Sequence, residues 1–262
     1  MKVLFVTSFH RQMFEVTGRR LVESFLSSGT RGNLLMCHEG FDGVSPLRHP
    51  RLRVHNLNRS PLLRSWLRDN ADIIPQQFGG QAGACACAEP SNPFARHNSG
   101  CPNGWYNRNA ARWFRKVVAL RAAIQRTSYD AYIWLDSDCV FTARLPIEEL
   151  QAWFARGAVL YLKSPARGVI ESGVMGILNS DAGRQFVTAT VERFQSGAFR
   201  QDARWDDGYQ FQLALHHHPE IPRCDLATTA NQNADVVPFS PWGAYLCHRK
   251  GMHSVALKLV EC

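Results

Sequence analysis

Residues 131–138 read AYIWLDSD, an unbroken apolar run that stops on two aspartates flanking a serine. A short apolar run without alternation, rich in aromatic and β-branched side chains, suits a strand buried on both faces, as in the centre of a parallel sheet. Such a strand delivers whatever follows it to the carboxyl edge of the sheet, where open α/β sheets bind their ligands. Asp136 and Asp138, spaced i and i+2, can face one small site there. Hard divalent cations take oxygen ligands in that arrangement and share them with substrate phosphates. The plain alternative is a strand-ending turn, which Asp and Ser favour unaided.

The text on either side alternates strand and helix. Lys2–Phe9 (KVLFVTSF), Asn33–His38 and Leu52–Asn56 read as strands, and 17–28 as a helix ended by Gly29. Ser60 as cap and Pro61 at the first position open a short helix. Asn107–Arg126 predicts a longer one, along which Arg108, Arg112 and Lys116 recur every four residues as a cationic stripe. After the DSD triplet come a helix near Ile147–Arg156, a strand at Ala158–Lys163 and a glycine-bearing loop leading into a strand at Val174–Leu178. Helices from about Asp181 to Gln195 and around Asp207–His216 follow. This pattern predicts an α/β fold with a mostly parallel central sheet and helices on both faces. One domain over residues 1–262 is expected, with a Gly/Cys-rich insertion or loop at about 79–104.

Composition narrows the function. The 30 basic residues outnumber the 22 acidic ones, and only five are lysine, so 25 arginines carry most of the net +8. Arginine's planar fork suits phosphate and carboxylate oxygens, so an anionic ligand or a solvated basic surface is expected. No run of about 18 apolar residues exists, and the N-terminal VLFV is too short for a secretory signal. A cytoplasmic protein with reduced thiols is expected, with peripheral contact as its only route to a membrane. Among eight cysteines the one cluster is Cys85, Cys87 and Cys101 with His97, a candidate structural zinc site whose spacing matches no common pattern.

Three further segments bear on the DSD triplet. Gly168–Asn179 reads GVIESGVMGILN, WDDGYQF places Asp206 and Asp207 at a helix start, and HRKG supplies His248 and Gly251. Each alone has a dull explanation: a turn, a helix cap, a loop histidine. Together, WLDSD, ESGVMGILN, WDD and HRKG resemble, in order and approximate spacing, the metal-dependent nucleotide-sugar glycosyltransferases of the GT-A fold. The likeness is greatest to the branch containing glycogenin and the bacterial lipopolysaccharide galactosyltransferases. It covers roughly Trp113–Ser254, and the first hundred residues match only as a generic nucleotide-binding half.

The resemblance implies a glycosyltransferase that moves a sugar from a nucleotide donor, a UDP-sugar, to a hydroxyl acceptor such as a glycan or lipopolysaccharide. It implies that Asp136, Asp138 and His248 hold Mn²⁺ or Mg²⁺, imidazole favouring manganese. Arg112 and Lys116 would face the diphosphate, Thr7 and His10 the nucleotide, and Ser172 and Gly173 the sugar or acceptor. Asp207, its neighbour Asp206, or Glu171 would stand by the reacting carbon. Three departures accompany this: Glu171 where the family has Asn, Gly208 in place of Gln, and Ser254 in place of the final Lys. Lys250, Arg249 or His253 would replace that lysine at the phosphates. Retention is the family's habit, while inversion with Asp207 as base stays open.

Two other readings compete. WLDSDCV also fits the hhDxDxV pattern of haloacid-dehalogenase-like phosphatases, with Asp136 as nucleophile and Asp138 as acid. That motif normally ends a domain's first strand, whereas about 130 residues precede it here. A basic, zinc-stabilised nucleic-acid-binding module is the non-enzymatic alternative, although the acidic groups at DSD and WDD would repel a polyanion. No nucleic-acid partner is expected.

Overall fold

The computed structural model describes residues 1–40, 49–73, 110–228 and 235–249. Its strands are β1 (Val3–Phe9), β2 (Asn33–His38), β3 (Leu52–Asn56), β4 (Ala131–Leu135), β5 (Cys139–Phe141), β6 (Val159–Ser164), β7 (Val169–Leu178), β8 (Arg223–Asp225) and β9 (Leu246–His248). The main helices are α1 (Arg19–Ser27), α2 (Pro61–Asp69), α3 (Ala110–Ile124), α4 (Ile147–Phe154), α5 (Asp181–Gln195) and α6 (Asp207–His217). Among the described residues these strands form a seven-stranded sheet, order β3-β2-β1-β4-β7-β6-β8, and a separate β5-β9 pair. β1 to β4 pair in parallel, and β7 runs antiparallel to both β4 and β6.

Successive strand residues point to opposite faces, and that period sorts the core into two layers. Leu4, Val6, Tyr132 and Trp134 pack with Phe114 and Val117 of α3, Phe186 of α5 and Phe211 of α6. Phe5, Ile133 and Leu135 pack with Leu21, Val22 and Phe25 of α1 and with Leu150 and Trp153 of α4. Helices therefore cover both faces, as the alternation predicts. Their ends obey local chemistry as well: Ser60 accepts from the Leu63 amide with Pro61 at the first position, and Ser180 caps α5 through Gly183.

Three local readings need correction. The helix expected over 17–28 begins as a π turn, Phe14–Gly18, and becomes α-helical only at Arg19. Gly18 sits where a Cβ would lie 3.0 Å from the Phe9 ring, so close aromatic packing shapes that entry. The segment before Val174 is not a loop, because β7 starts at Val169 and takes Glu171, Ser172 and Gly173 into the sheet. Reduced thiols hold for buried Cys37, Cys139 and Cys224, but Cys247 is disulfide-bonded, since pairing follows from which thiols the fold brings within reach. No helix among the described residues is long and apolar enough to cross a membrane.

Candidate active site

β4 ends at Leu135 beside Val174 of antiparallel β7, so the chain leaves the sheet next to Gly173. The Asp136 amide donates to the Gly173 carbonyl at 2.8 Å, which pins the start of the DSD turn to β7. Beyond the turn, Cys139 of β5 pairs with His248 of β9, and the Arg249 amide donates to the Asp138 carbonyl at 3.1 Å. A three-residue pairing thereby joins positions over a hundred residues apart. It seats the His248 Nε2 3.2 Å from the Asp138 Oδ1. Both side chains are almost fully buried.

Asp136 and Asp138 have different surroundings. The Asp136 side chain keeps 30% of its exposure, and its Oδ1 accepts from Lys116 Nζ at 2.7 Å and Trp134 Nε1 at 2.8 Å. Lys116 also contacts Asp207 and donates to the carbonyl (3.0 Å) and Oγ (3.2 Å) of Ser172. Burial pushes its ammonium pKa down, but Asp136 and Asp207 outweigh that and hold it above the ordinary lysine value. Burial alone would raise the Asp136 carboxyl, yet Lys116 and then His248 bring it to about 2. For Asp207 burial wins over Lys116, with Asp136 and Asp206 adding to it, and its pKa is raised. One cation thus serves two carboxylates unequally.

Around His248, burial lowers the imidazole pKa, but Asp138, Asp235 and Glu171 carry it up to about 10. Its Nδ1 lies 3.7 Å from Asp235 Oδ1 and 4.0 Å from Glu171 Oε1. Gly173 admits the ring, since a Cβ there would stand 2.4 Å from His248 Cε1. Asp138, Cys139 and His248 place one donor atom each within 4.8 Å of the others. The oxygen and imidazole donors fit a borderline divalent ion. Burial first, then Asp138, Asp136 and Glu171, keep the Cys139 thiol protonated by raising its pKa well above the usual value.

The other expected residues divide between this site and elsewhere. Asp206 caps α6, accepting from the Tyr209 amide (3.2 Å) and from Arg204 (2.7 Å). Glu171 is turned to Gly173, Arg167 and His248, and its side chain is only 3% exposed. Lys116 directs its ammonium to the two carboxylates and to Ser172. Arg112 stays half-buried with its guanidinium 5.1 Å from the Trp113 ring. Thr7 is fully buried, with no hydrogen-bond partner for its hydroxyl among the described residues, and His10 caps the single turn Arg11–Met13 through Nδ1. Lys250, Gly251 and the Cys85, Cys87, His97, Cys101 cluster lie outside the described residues.

Sequence reasoning misses Asp235 and the Thr17–Ser137 hydroxyl contact of 3.2 Å. Nothing in the local sequence signals either. Ser137 does offer a hydroxyl in the middle of the turn, and Thr17 on the π turn meets it.

The sheet order, with helices on both faces, defines a mixed α/β fold that carries two aspartates at the end of β4. Among solved structures, apo mouse xyloside xylosyltransferase 1 is 13% identical, with a TM-score of 0.55 over 98% of this chain and 100% of that one. A glycosyltransferase involved in glycosylating the major capsid of PBCV-1 is 13% identical, covering 96% of each chain at a TM-score of 0.47. GlyE of Streptococcus pneumoniae TIGR4 is 12% identical at 0.42, over 86% of this chain and 45% of its own. No protein-family profile and no curated protein matches the sequence. The likeness to the xylosyltransferase establishes the shared fold.

Proposed function

We propose that this chain is a metal-dependent glycosyltransferase of the glycogenin and lipopolysaccharide galactosyltransferase branch. It would move a sugar from a nucleoside-diphosphate donor, a UDP-sugar, to a hydroxyl of a glycan or lipopolysaccharide. The observation that carries this reading is the 3.2 Å contact between Asp138 and His248, beside a half-exposed Asp136. Asp138 and His248 come from distant parts of the chain, and this supports placing the ion beside them, with Asp136 two residues away on the same turn as its further ligand.

In this proposal Asp136, Asp138 and His248 hold Mn²⁺ or Mg²⁺. When bound, such an ion supplies positive charge to the departing pyrophosphate oxygens. The chain's own residues prepare for it. Lys116 keeps Asp136 ionised and bridges Asp207 and Ser172. Asp207 is the carboxylate assigned to the sugar side, as a base worth about 10²–10⁴-fold or as a stabiliser of the oxocarbenium-like carbon. Ser172 and Gly173 border the sugar, Thr7 and His10 the nucleotide, and Arg112 and Lys250 the phosphates. The phosphatase alternative loses ground because Asp136 follows the fourth strand of the sheet rather than the first.

A thermal-shift screen of UDP-sugars with and without Mn²⁺ tests the reading. Saturation at about 100 times Kd stabilises the fold by about 2.7 kcal/mol. Asp138→Ala is expected to abolish the metal-dependent part while the protein still melts cooperatively. If neither Mn²⁺ nor Mg²⁺ improves binding of any UDP-sugar, the reading fails. The pH dependence has a definite sign. His248 titrates at about 10 without metal, so ion capture must expel its proton. Apparent Mg²⁺ affinity should therefore rise about tenfold per pH unit between roughly pH 7 and 9, and calorimetry in buffers of different ionisation enthalpy should show one proton released.

A further inference from the structure

We infer that Asp235 and Glu171 are positioning residues for His248, two carboxylates that clamp the back of the imidazole so that Nε2 stays aimed at Asp138. The inference rests on the metal-dependent reading above; it adds Asp235, which no motif contains, and moves Glu171 from the sugar to the imidazole. His248 presents Nε2 to Asp138 Oδ1 at 3.2 Å, and its opposite nitrogen, Nδ1, faces Asp235 Oδ1 at 3.7 Å and Glu171 Oε1 at 4.0 Å. The His248 side chain is 2% exposed, so these carboxylates stand in place of solvent. At 3.7 and 4.0 Å these carboxylates act on the ring as neighbouring charges rather than as hydrogen-bond acceptors, and negative charge behind Nδ1 favours the orientation that points Nε2 toward Asp138.

The clamp is itself anchored. Glu171 Oε1 accepts from the Gly173 amide at 3.1 Å, and its Oε2 pairs with Arg167 Nη1 at 3.3 Å. Asp235 Oδ1 also accepts from the Val237 amide at 3.3 Å. Gly173 closes the remaining direction, because its bare Cα lets the ring edge lie against β7. β7, β9 and the segment entering the Val237–Phe239 turn thus converge on one ring.

The test is Mn²⁺ binding followed by electron paramagnetic resonance of the free ion, with wild type, Asp235→Asn, Glu171→Gln and the double variant. These isosteric changes keep the packing and remove only charge. The double variant should bind Mn²⁺ about 10- to 100-fold more weakly, with each single variant taking part of the loss and far-ultraviolet circular dichroism unchanged. Asp235→Glu, which restores a carboxylate, should recover most of the Asp235→Asn loss. Wild-type Mn²⁺ affinity in both single variants and in the double variant overturns the clamp. If Glu171→Gln does not fold, Asp235→Asn decides alone, because that side chain is 29% exposed and tolerates change. A wild-type protein that leaves the Mn²⁺ signal untouched is a separate outcome; it overturns the metal-dependent reading and the clamp with it.

Discussion

Asp136 and Asp138 stand two residues apart and are held in opposite ways. Asp136 shares Lys116 with Asp207, a cation that burial cannot strip of its proton while two carboxylates face it. Asp138 meets His248, whose charge depends on a single proton. The lysine half is a permanent structural bond. The histidine half is an exchangeable one. One turn thus combines an aspartate fixed by a buried lysine with an aspartate whose partner can lose its charge.

The largest way to break this comparison is Lys116→Met. It leaves Asp136 and Asp207 without their cation in a pocket where Lys116 is 6% exposed, so a loss of about 3–5 kcal/mol is expected in urea unfolding. A variant as stable as wild type would show that Lys116 is no anchor.

Next comes pH in the metal-free protein, where the two halves should fail at opposite ends. His248 rises from 6.5 to about 10 on folding. Its contribution, on the order of a few kcal/mol, is therefore whole below about pH 6.5 and lost as pH climbs through 10. Asp136 falls from 3.8 to about 2, so its contribution is present above about pH 4 and lost as pH drops through 2. Denaturant midpoints across pH check both signs, and His248→Gln should erase the alkaline limb while only weakening the acid one, because His248 is the second of the charges that lower Asp136.

Gly173→Ala should cost about 1–3 kcal/mol by pushing the imidazole off Asp138, while leaving the Lys116 half intact. Thr17→Val, which removes the hydroxyl contact to Ser137 between the two halves, should cost only about 0.5–1.5 kcal/mol, and Thr17→Ser should recover it.

Much of the fold is legible in the sequence because its elements carry strong periods. β2, β3 and β4 fall on the expected boundaries, and α5 spans Asp181–Gln195 as read. β7 reads less well, because Glu171, Ser172 and Gly173 look like loop text; their strand conformation comes from pairing with β6 and from the Gly173 carbonyl bond to Asp136. The β5-β9 pair is too short to carry a pattern at all. In the site, Asp136, Asp138 and His248 are legible as residue types at suggestive places, whereas the sequence leaves Asp206 as a helix cap or a carboxylate beside the sugar, and its bond to the Tyr209 amide gives it the capping role.

By itself, then, the chain's residue order determines a buried strand that ends in two carboxylates, with helices to cover both faces of the sheet around it, because apolar period and turn chemistry act over a few residues. Tertiary structure alone decides which cation answers each carboxylate. Lys116 and His248 reach the turn from α3 and β9, and burial together with neighbouring charge sets whether either keeps its proton. Those forces act through space, between groups whose sequence separation says nothing about their distance.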